Sequence, residues 1–311
     1  MIDFFGGIGS AIMTPLYYAV SAVLIGCHRA LGTVMPSDSG WTWAFAIVGL
    51  TIVIRAALIP LFVKQIKSSR NMQLLQPKIK ELQKKYAHDR ERLTQEQMKL
   101  WKDTGTNPFA SCMPILLQMP IFFALFRTID NAAHGRAKGF LSLQDAESIQ
   151  NARLLGAHIA DTFLKSENVE TKILTMALVL IMSATTFLTQ RQLMMKNMPE
   201  GALTGQYAQQ QKMLLYILPV VFAVGGVAFP LGVLIYWTTS NLWTMGQQFY
   251  VIRSNPAPGT PAFKAKQDRD LKHGKKVVED PTLEIEVKPK PVPRQQPKTQ
   301  PRSKRKKGPK K

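Results

Sequence analysis

Arg55 lies in the run Thr51-Ile52-Val53-Ile54-Arg55-Ala56-Ala57-Leu58-Ile59-Pro60, whose other members except Thr51 are apolar. Its guanidinium stays charged at any physiological pH and offers five donors in a fixed fork. A central arginine in an apolar span costs roughly 2.5–3.5 kcal/mol on insertion scales, so it should face protein or water rather than lipid. Snorkelling to the nearer headgroups is the plain alternative. Other polar residues fall at helical spacing in separate apolar segments. Thr51 sits one turn before Arg55, Gln118 lies in a second segment, and Ser183, Thr186 and Gln190 align in a third. Tyr236, Ser240, Trp243 and Gln247 align in the last. Taken singly, hydroxyls and amides of this kind hold helices together. Taken together, four polar faces and an arginine with no Asp or Glu in any of these segments describe a hydrated cavity. A positive charge there attracts acidic or polar chain segments.

The elements that must position these residues are apolar stretches of membrane-crossing length. The mean hydropathy of −0.04 resembles that of a soluble protein, but the average hides strong segregation. Residues 41–63, 109–129, 172–190, 213–229 and 231–252 are nearly free of charge, and about 20 residues suffice to cross a hydrocarbon core. The loop 64–108 carries eleven Lys or Arg, whereas 130–171 has four against six acids. By the positive-inside rule the first loop is cytoplasmic and the second external. Alternation then puts residues 191–212 and the C-terminus in the cytoplasm and the residues before Trp41 outside. The expected fold is an all-α polytopic membrane protein: a five-helix transmembrane core with a cytoplasmic helical hairpin and a disordered basic tail. Domain limits follow at 1–40, 41–252 and 253–311. The segment 213–229 is short, which favours local bilayer thinning or simply an untilted helix.

The segment 11–35 reads either as a sixth span or as an interfacial helix, and the interfacial reading is taken because His28 and Arg29 interrupt it. Leu24-Ile25-Gly26-Cys27 has the form of a lipoprotein cleavage box. The residues before it hold Asp3 and no Lys or Arg, against the basic start of a signal peptide. In 64–108, Met72, Leu75, Ile79, Leu82 and Tyr86 form a helical stripe. Thr94 with Gln97 then predicts a capping box opening a second helix that Pro108 stops. Residues 253–311 hold 18 Lys/Arg against 6 Asp/Glu without apolar periodicity, which predicts disorder. Lys304, Arg305, Lys306 and Lys307 near the end suit anionic headgroups or RNA phosphate, or serve only topology and solubility. Two cysteines, Cys27 and Cys112, support neither a disulfide framework nor a metal site. With no phosphate-binding glycine loop and no His-Glu-x-x-His, the sequence predicts no enzyme, no cofactor and no metal.

Several runs carry a family resemblance: Ile54-Arg55-Ala56-Ala57-Leu58-Ile59-Pro60-Leu61, Met72-Gln73-Leu74-Leu75-Gln76-Pro77-Lys78, Asn107-Pro108, Cys112 through Phe122, Phe229 through Trp237, and Ser240-Asn241-Leu242. In their order and spacing the chain resembles the YidC-type membrane protein insertases, in the compact form that lacks a large external domain. The resemblance implies a five-helix core with a hydrophilic groove open to the cytoplasm and to lipid and closed outside. It implies that Arg55 is the groove's arginine and that Pro15-Leu16-Tyr17-Tyr18 belongs to an interfacial helix. It further implies nascent membrane proteins as substrates, the Sec translocon and the ribosome as partners, a bacterial plasma-membrane location and no small-molecule substrate. The external loop 130–171 looks long for the family. On residues alone, a secondary transporter and a polybasic scaffold are the rivals. No internal repeat supports the first, and loss of all activity on removing 253–311 would mark the second.

Overall fold

The computed structural model describes residues 2–63, 65, 75–105, 113–198 and 206–275. Helix α1 (Ile2–Gly32) is followed by α2 (Gly40–Ala57), whose start is fixed by the Ser39 hydroxyl accepting from Trp41 N. The helix breaks at Leu58 and resumes over 59–63. Pro60 explains the break, since it has no N–H to give the Ala56 carbonyl and its ring crowds that position.

Helices α3 (Gln76–Lys85) and α4 (Arg90–Thr104) pack on each other as the expected hairpin. Leu75 and Ile79 are its buried stripe residues, while Met72 lies outside the described residues. The ends of α4 differ from the sequence reading. Its cap is Asp89, whose carboxylate accepts from Arg92 N at 2.9 Å, and Thr94 sits inside the helix with its hydroxyl on the Arg90 carbonyl. A carboxylate at the N-terminus adds dipole compensation to the hydrogen bond, so Asp89 outcompetes Thr94. The helix ends at Gly105, in the left-handed region at φ 65°, three residues before Pro108.

Helix α5 (Met113–Ala133) leads to a short α6 (Leu143–Asn151), opened by a capping box between Ser142 and Asp145. Two two-residue strands, β1 (Arg153–Leu154) and β2 (Ala157–His158), pair antiparallel. This hairpin is a small departure from an all-α chain. Helices α7 (Val169–Lys196), α8 (Gln206–Gly226) and α9 (Leu231–Ser254) complete the bundle. Most described residues of each of the five apolar segments therefore lie on a helix. By length and composition α2 and α7 are long and apolar enough to cross a membrane, and Gln211–Gly226 is a shorter apolar stretch. The short segment read as 213–229 ends at Gly226, and Pro230 caps α9 instead of closing α8.

Helix α9 is central and packs against α2, α5 and α7; α8 lies on α7, and α1 lies on α2 and α5. Several hydroxyls are buried among large apolar core residues such as Trp43, Leu50 and Leu125, while many other large apolar side chains point out. Thr51, Thr128, Thr175 and Ser240 are buried, whereas Ile173, Leu180, Tyr216, Val220 and Val224 are exposed. An apolar exterior over buried hydroxyls is the pattern of helices in an apolar solvent, where polar side chains hold helices together.

The tail departs from the expected disorder over part of its length. Residues 261–272 form α10 (Pro261–Lys272), capped by Thr260, whose hydroxyl accepts from Phe263 N. Phe263 is buried, Asn197 Oδ1 accepts from Ala257 N at 2.9 Å, and Arg269 Nη2 donates to the Arg253 carbonyl at 2.7 Å. Thr at the cap and Pro at the first position are a strong helix start, and the buried Phe263 supplies the apolar anchor that composition concealed.

Candidate functional site

Arg55 points into the bundle and is 9% exposed. Its Nε donates to Ser240 Oγ at 3.1 Å, and Nη2 donates to the same oxygen. The guanidinium also stands over the Phe62 ring, 5.6 Å from its centroid. Ser240 is two turns along α9 from Gly232, and Arg55 is two turns along α2 from Ile47. A Cβ added to Gly232 would lie 3.2 Å from Ile47 Cδ1. The two helices therefore run parallel and in register, meeting at both ends of equal eight-residue stretches.

One turn before Ser240, Tyr236 is 2% exposed, and its hydroxyl accepts from Gln118 Nε2 on α5. Gln118 Oε1 is buried without a hydrogen-bond partner. A buried acceptor left open is costly, so this amide is suited to receive a donor from outside the protein. On the other side of α9, Asn241 Nδ2 donates to Thr186 Oγ1 at 3.0 Å, and Thr186 in turn donates to the Met182 carbonyl. Ser183 Oγ reaches the Pro219 carbonyl at 3.3 Å and joins α7 to α8.

The structure brings Arg55, Ser240, Tyr236 and Gln118 into one chain of contacts across α2, α9 and α5. Asn241 and Thr186 extend it toward α7. Other expected members stand apart from this chain. Thr51 is buried, and its hydroxyl is turned back onto the Ile47 carbonyl of its own helix at 2.8 Å. Trp243 Nε1 donates to Gln247 Oε1 within α9, and Gln190 is half-buried on α7. Lys304, Arg305, Lys306 and Lys307 lie outside the described residues. The residues that sequence reasoning passed over are Asn241 and Phe62. Asn241 adjoins Ser240 but falls off the stripe Tyr236–Ser240–Trp243–Gln247. Phe62 lies beyond the helix break, which brings it beneath Arg55. Among the described residues no group of three or more His, Cys, Asp or Glu could hold a metal.

Residues 34–258 match the family model of the 60Kd inner membrane protein. A Streptomyces avermitilis protein, "Membrane protein insertase YidC", is 46% identical over 263 residues, 82% of this chain and 61% of that relative. Relatives of the same name from Tropheryma whipplei and Mycobacterium tuberculosis are 36% and 31% identical. They align over 83% and 76% of this chain, and 89% and 71% of their own lengths. The matched stretch thus spans less than two thirds of the Streptomyces relative and most of the other two.

Proposed function

The chain belongs to the 60Kd inner membrane protein family, that of the YidC-type insertases, and on that premise we propose that it inserts newly made proteins into the bacterial plasma membrane. The observation that carries the reading is a helical bundle with an apolar exterior and with Arg55 and Ser240 buried inside it. Apolar side chains face outward to lipid, while a cation, a phenol and an amide with one open acceptor face inward.

In this mechanism α2, α5, α7, α8 and α9 span the membrane, with the α3–α4 hairpin in the cytoplasm and the C-terminus on the same side. Helix α1 lies along the external surface. In support, its residues Tyr17, Tyr18, Ser21 and His28 all touch the segments around Lys138, Phe140, Ser37 and Trp43. A nascent chain reaches the cytoplasmic mouth near the hairpin and α10, handed over by a ribosome or a Sec translocon. Its short polar segment enters beside Arg55, whose charge holds acidic or polar groups, while Gln118 accepts from a donor of the segment. The apolar helix of the substrate meanwhile moves along the lipid-facing side, where burial of about 0.8 kcal/mol per CH₂ drives the exchange. The step binds and releases, and no covalent bond changes. Anionic lipids and ribosomal RNA are the partners proposed for the basic C-terminal residues.

The test is protease protection of a newly made single-span protein with an acidic external tail, added to liposomes holding the purified protein. Protection that requires the protein and falls on Arg55→Ala supports insertion through the polar centre. Protection equal to that of empty liposomes would overturn it.

A further inference from the structure

A pocket of about 370 Å³ that the mechanism above does not use lies between the C-terminal end of α1, the turn leading to α2, and α6. His28 lines it and is 7% exposed. Its imidazole stacks on Trp43 with ring centroids 3.7 Å apart, and Trp43 Nε1 in turn donates to Ser148 Oγ at 2.9 Å. His28 Nε2 lies 2.9 Å from the Ser37 carbonyl oxygen. A carbonyl oxygen only accepts, so Nε2 carries the ring proton, and Nδ1 of the neutral ring is an acceptor. No described residue donates to Nδ1. A buried acceptor held in place with no donor is costly unless a ligand supplies one.

The charged groups that line the pocket are open as well. Asp145 takes the Ser142 N–H and hydroxyl on Oδ2, which leaves Oδ1. Asp38 and Arg29 are exposed, and neither has an ion pair among the described residues. Gly32 and Thr33 add the end of α1 to the lining, where the helix dipole favours a cation. Among the described residues no group of three or more His, Cys, Asp or Glu could hold a metal. The cation that fits is therefore one that brings its own donors, and a primary ammonium brings three. The guanidinium of Arg29 matches a phosphate.

The membrane-spanning reading above puts this pocket at the outer surface, because its turn leads into the first residues of α2. Trp41 there is 43% exposed and stacks on Phe45, and exposed aromatics of this kind mark the headgroup level. We propose that the pocket holds the headgroup of an outer-leaflet phosphatidylethanolamine, with the ammonium on His28 Nδ1 and Asp38 and the phosphate on Arg29. A trimethylammonium headgroup has no N–H to give Nδ1, so the site separates phosphatidylethanolamine from phosphatidylcholine. The bound lipid joins α1 to α6. The inference rests on the membrane-spanning reading for the depth of the pocket.

The experiment is native mass spectrometry of the full-length protein in detergent, titrated with short-chain phosphatidylethanolamine and, separately, with phosphatidylcholine. One phosphatidylethanolamine should bind about tenfold more tightly than phosphatidylcholine, and His28→Phe and Asp38→Asn should each abolish that preference. Equal affinity for the two lipids, or a preference that both variants keep, would overturn the site. His28→Phe retains a ring against Trp43 and removes both nitrogens. Should it fail to fold, Asp38→Asn changes only an exposed side chain and decides by itself. Free phosphoethanolamine should bind far more weakly than the lipid, which has acyl chains to bury as well. Binding as tight as that of the lipid would make the occupant a soluble phosphate ester and overturn the lipid. The titration involves no insertion, so a failed protection assay strikes the insertion reading and a failed titration strikes the pocket.

Discussion

Arg55 Nε and Ser240 Oγ lie 3.1 Å apart, so one serine hydroxyl of α9 fastens the only arginine of α2. The contact ties the last turn of α2 to the middle of α9.

Removing that oxygen should therefore affect both the fold and substrate handling. Ser240→Ala leaves a buried guanidinium with a lost acceptor, and hydrogen bonds to charged groups are worth about 1.5–3 kcal/mol. A lowered unfolding midpoint in detergent is expected, with weaker protection of acidic-tailed substrates than of uncharged ones. Arg55→Lys should not restore the protein, because an ammonium cannot reproduce the planar fork. An unchanged midpoint for Ser240→Ala would count against the tie.

At the N-terminal end of α2, Gly40 admits no side chain. A Cβ there would stand 2.2 Å from the Arg153 carbonyl oxygen, which belongs to the backbone of β1 and cannot rotate away. Gly40→Ala should cost at least the ~1–3 kcal/mol usual for overpacking. Calorimetry or a fluorescence melt reads this directly, and Gly26→Ala, with open space around it, is the control expected to melt like the parent.

The junction before α10 hangs on two polar side chains. Asn197→Ala removes the acceptor of Ala257 N, and Thr260→Ala removes a cap worth about 0.5–2 kcal/mol. In either variant, amide exchange over 258–272 should quicken while α9 before Arg253 keeps its protection. Equal exchange in parent and variants would mean that Phe263 and the Arg269 bond to the Arg253 carbonyl suffice to hold the helix.

Cys27 is half-buried, and its sulfur side faces Gly49, whose added Cβ would lie 3.1 Å from Sγ. Burial raises its thiol above the ordinary range, because desolvation disfavours the thiolate. The thiolate is the reacting form, so alkylation should be slow at pH 8, with its rate-against-pH curve displaced upward. A rate at pH 8 equal to that of an exposed thiol would contradict the packing.

Much of the site was legible because charge in an apolar run has few explanations. Arg55 announced itself in that way, Tyr236 and Ser240 followed from helical spacing, and Gln118 stood out as a lone amide in an apolar segment. Thr51 misled, since spacing tells which side of a helix a residue occupies but not whether its hydroxyl folds back on its own backbone, as this one does onto Ile47. Asp89 was passed over for Thr94 because both are good caps and only the geometry of the turn ranks them. The helix α10 was hidden by its setting, a basic stretch in which one phenylalanine decides the outcome. The meeting of Ile159, Ile129 and Ile47 at Gly232 joins residues far apart in the chain, and no local pattern encodes it.

The parallel register of α2 and α9 has a consequence for length. From Ile47 to Arg55 and from Gly232 to Ser240 the chain advances by the same eight residues, so the apolar contact at one end and the hydrogen bond at the other are satisfied together. Adding or deleting one residue in either stretch would turn everything beyond it by about 100° and shift it about 1.5 Å, parting Arg55 from Ser240 while leaving Ile47 against Gly232. Neither of these two stretches can accept an insertion or a deletion unless the other changes to match.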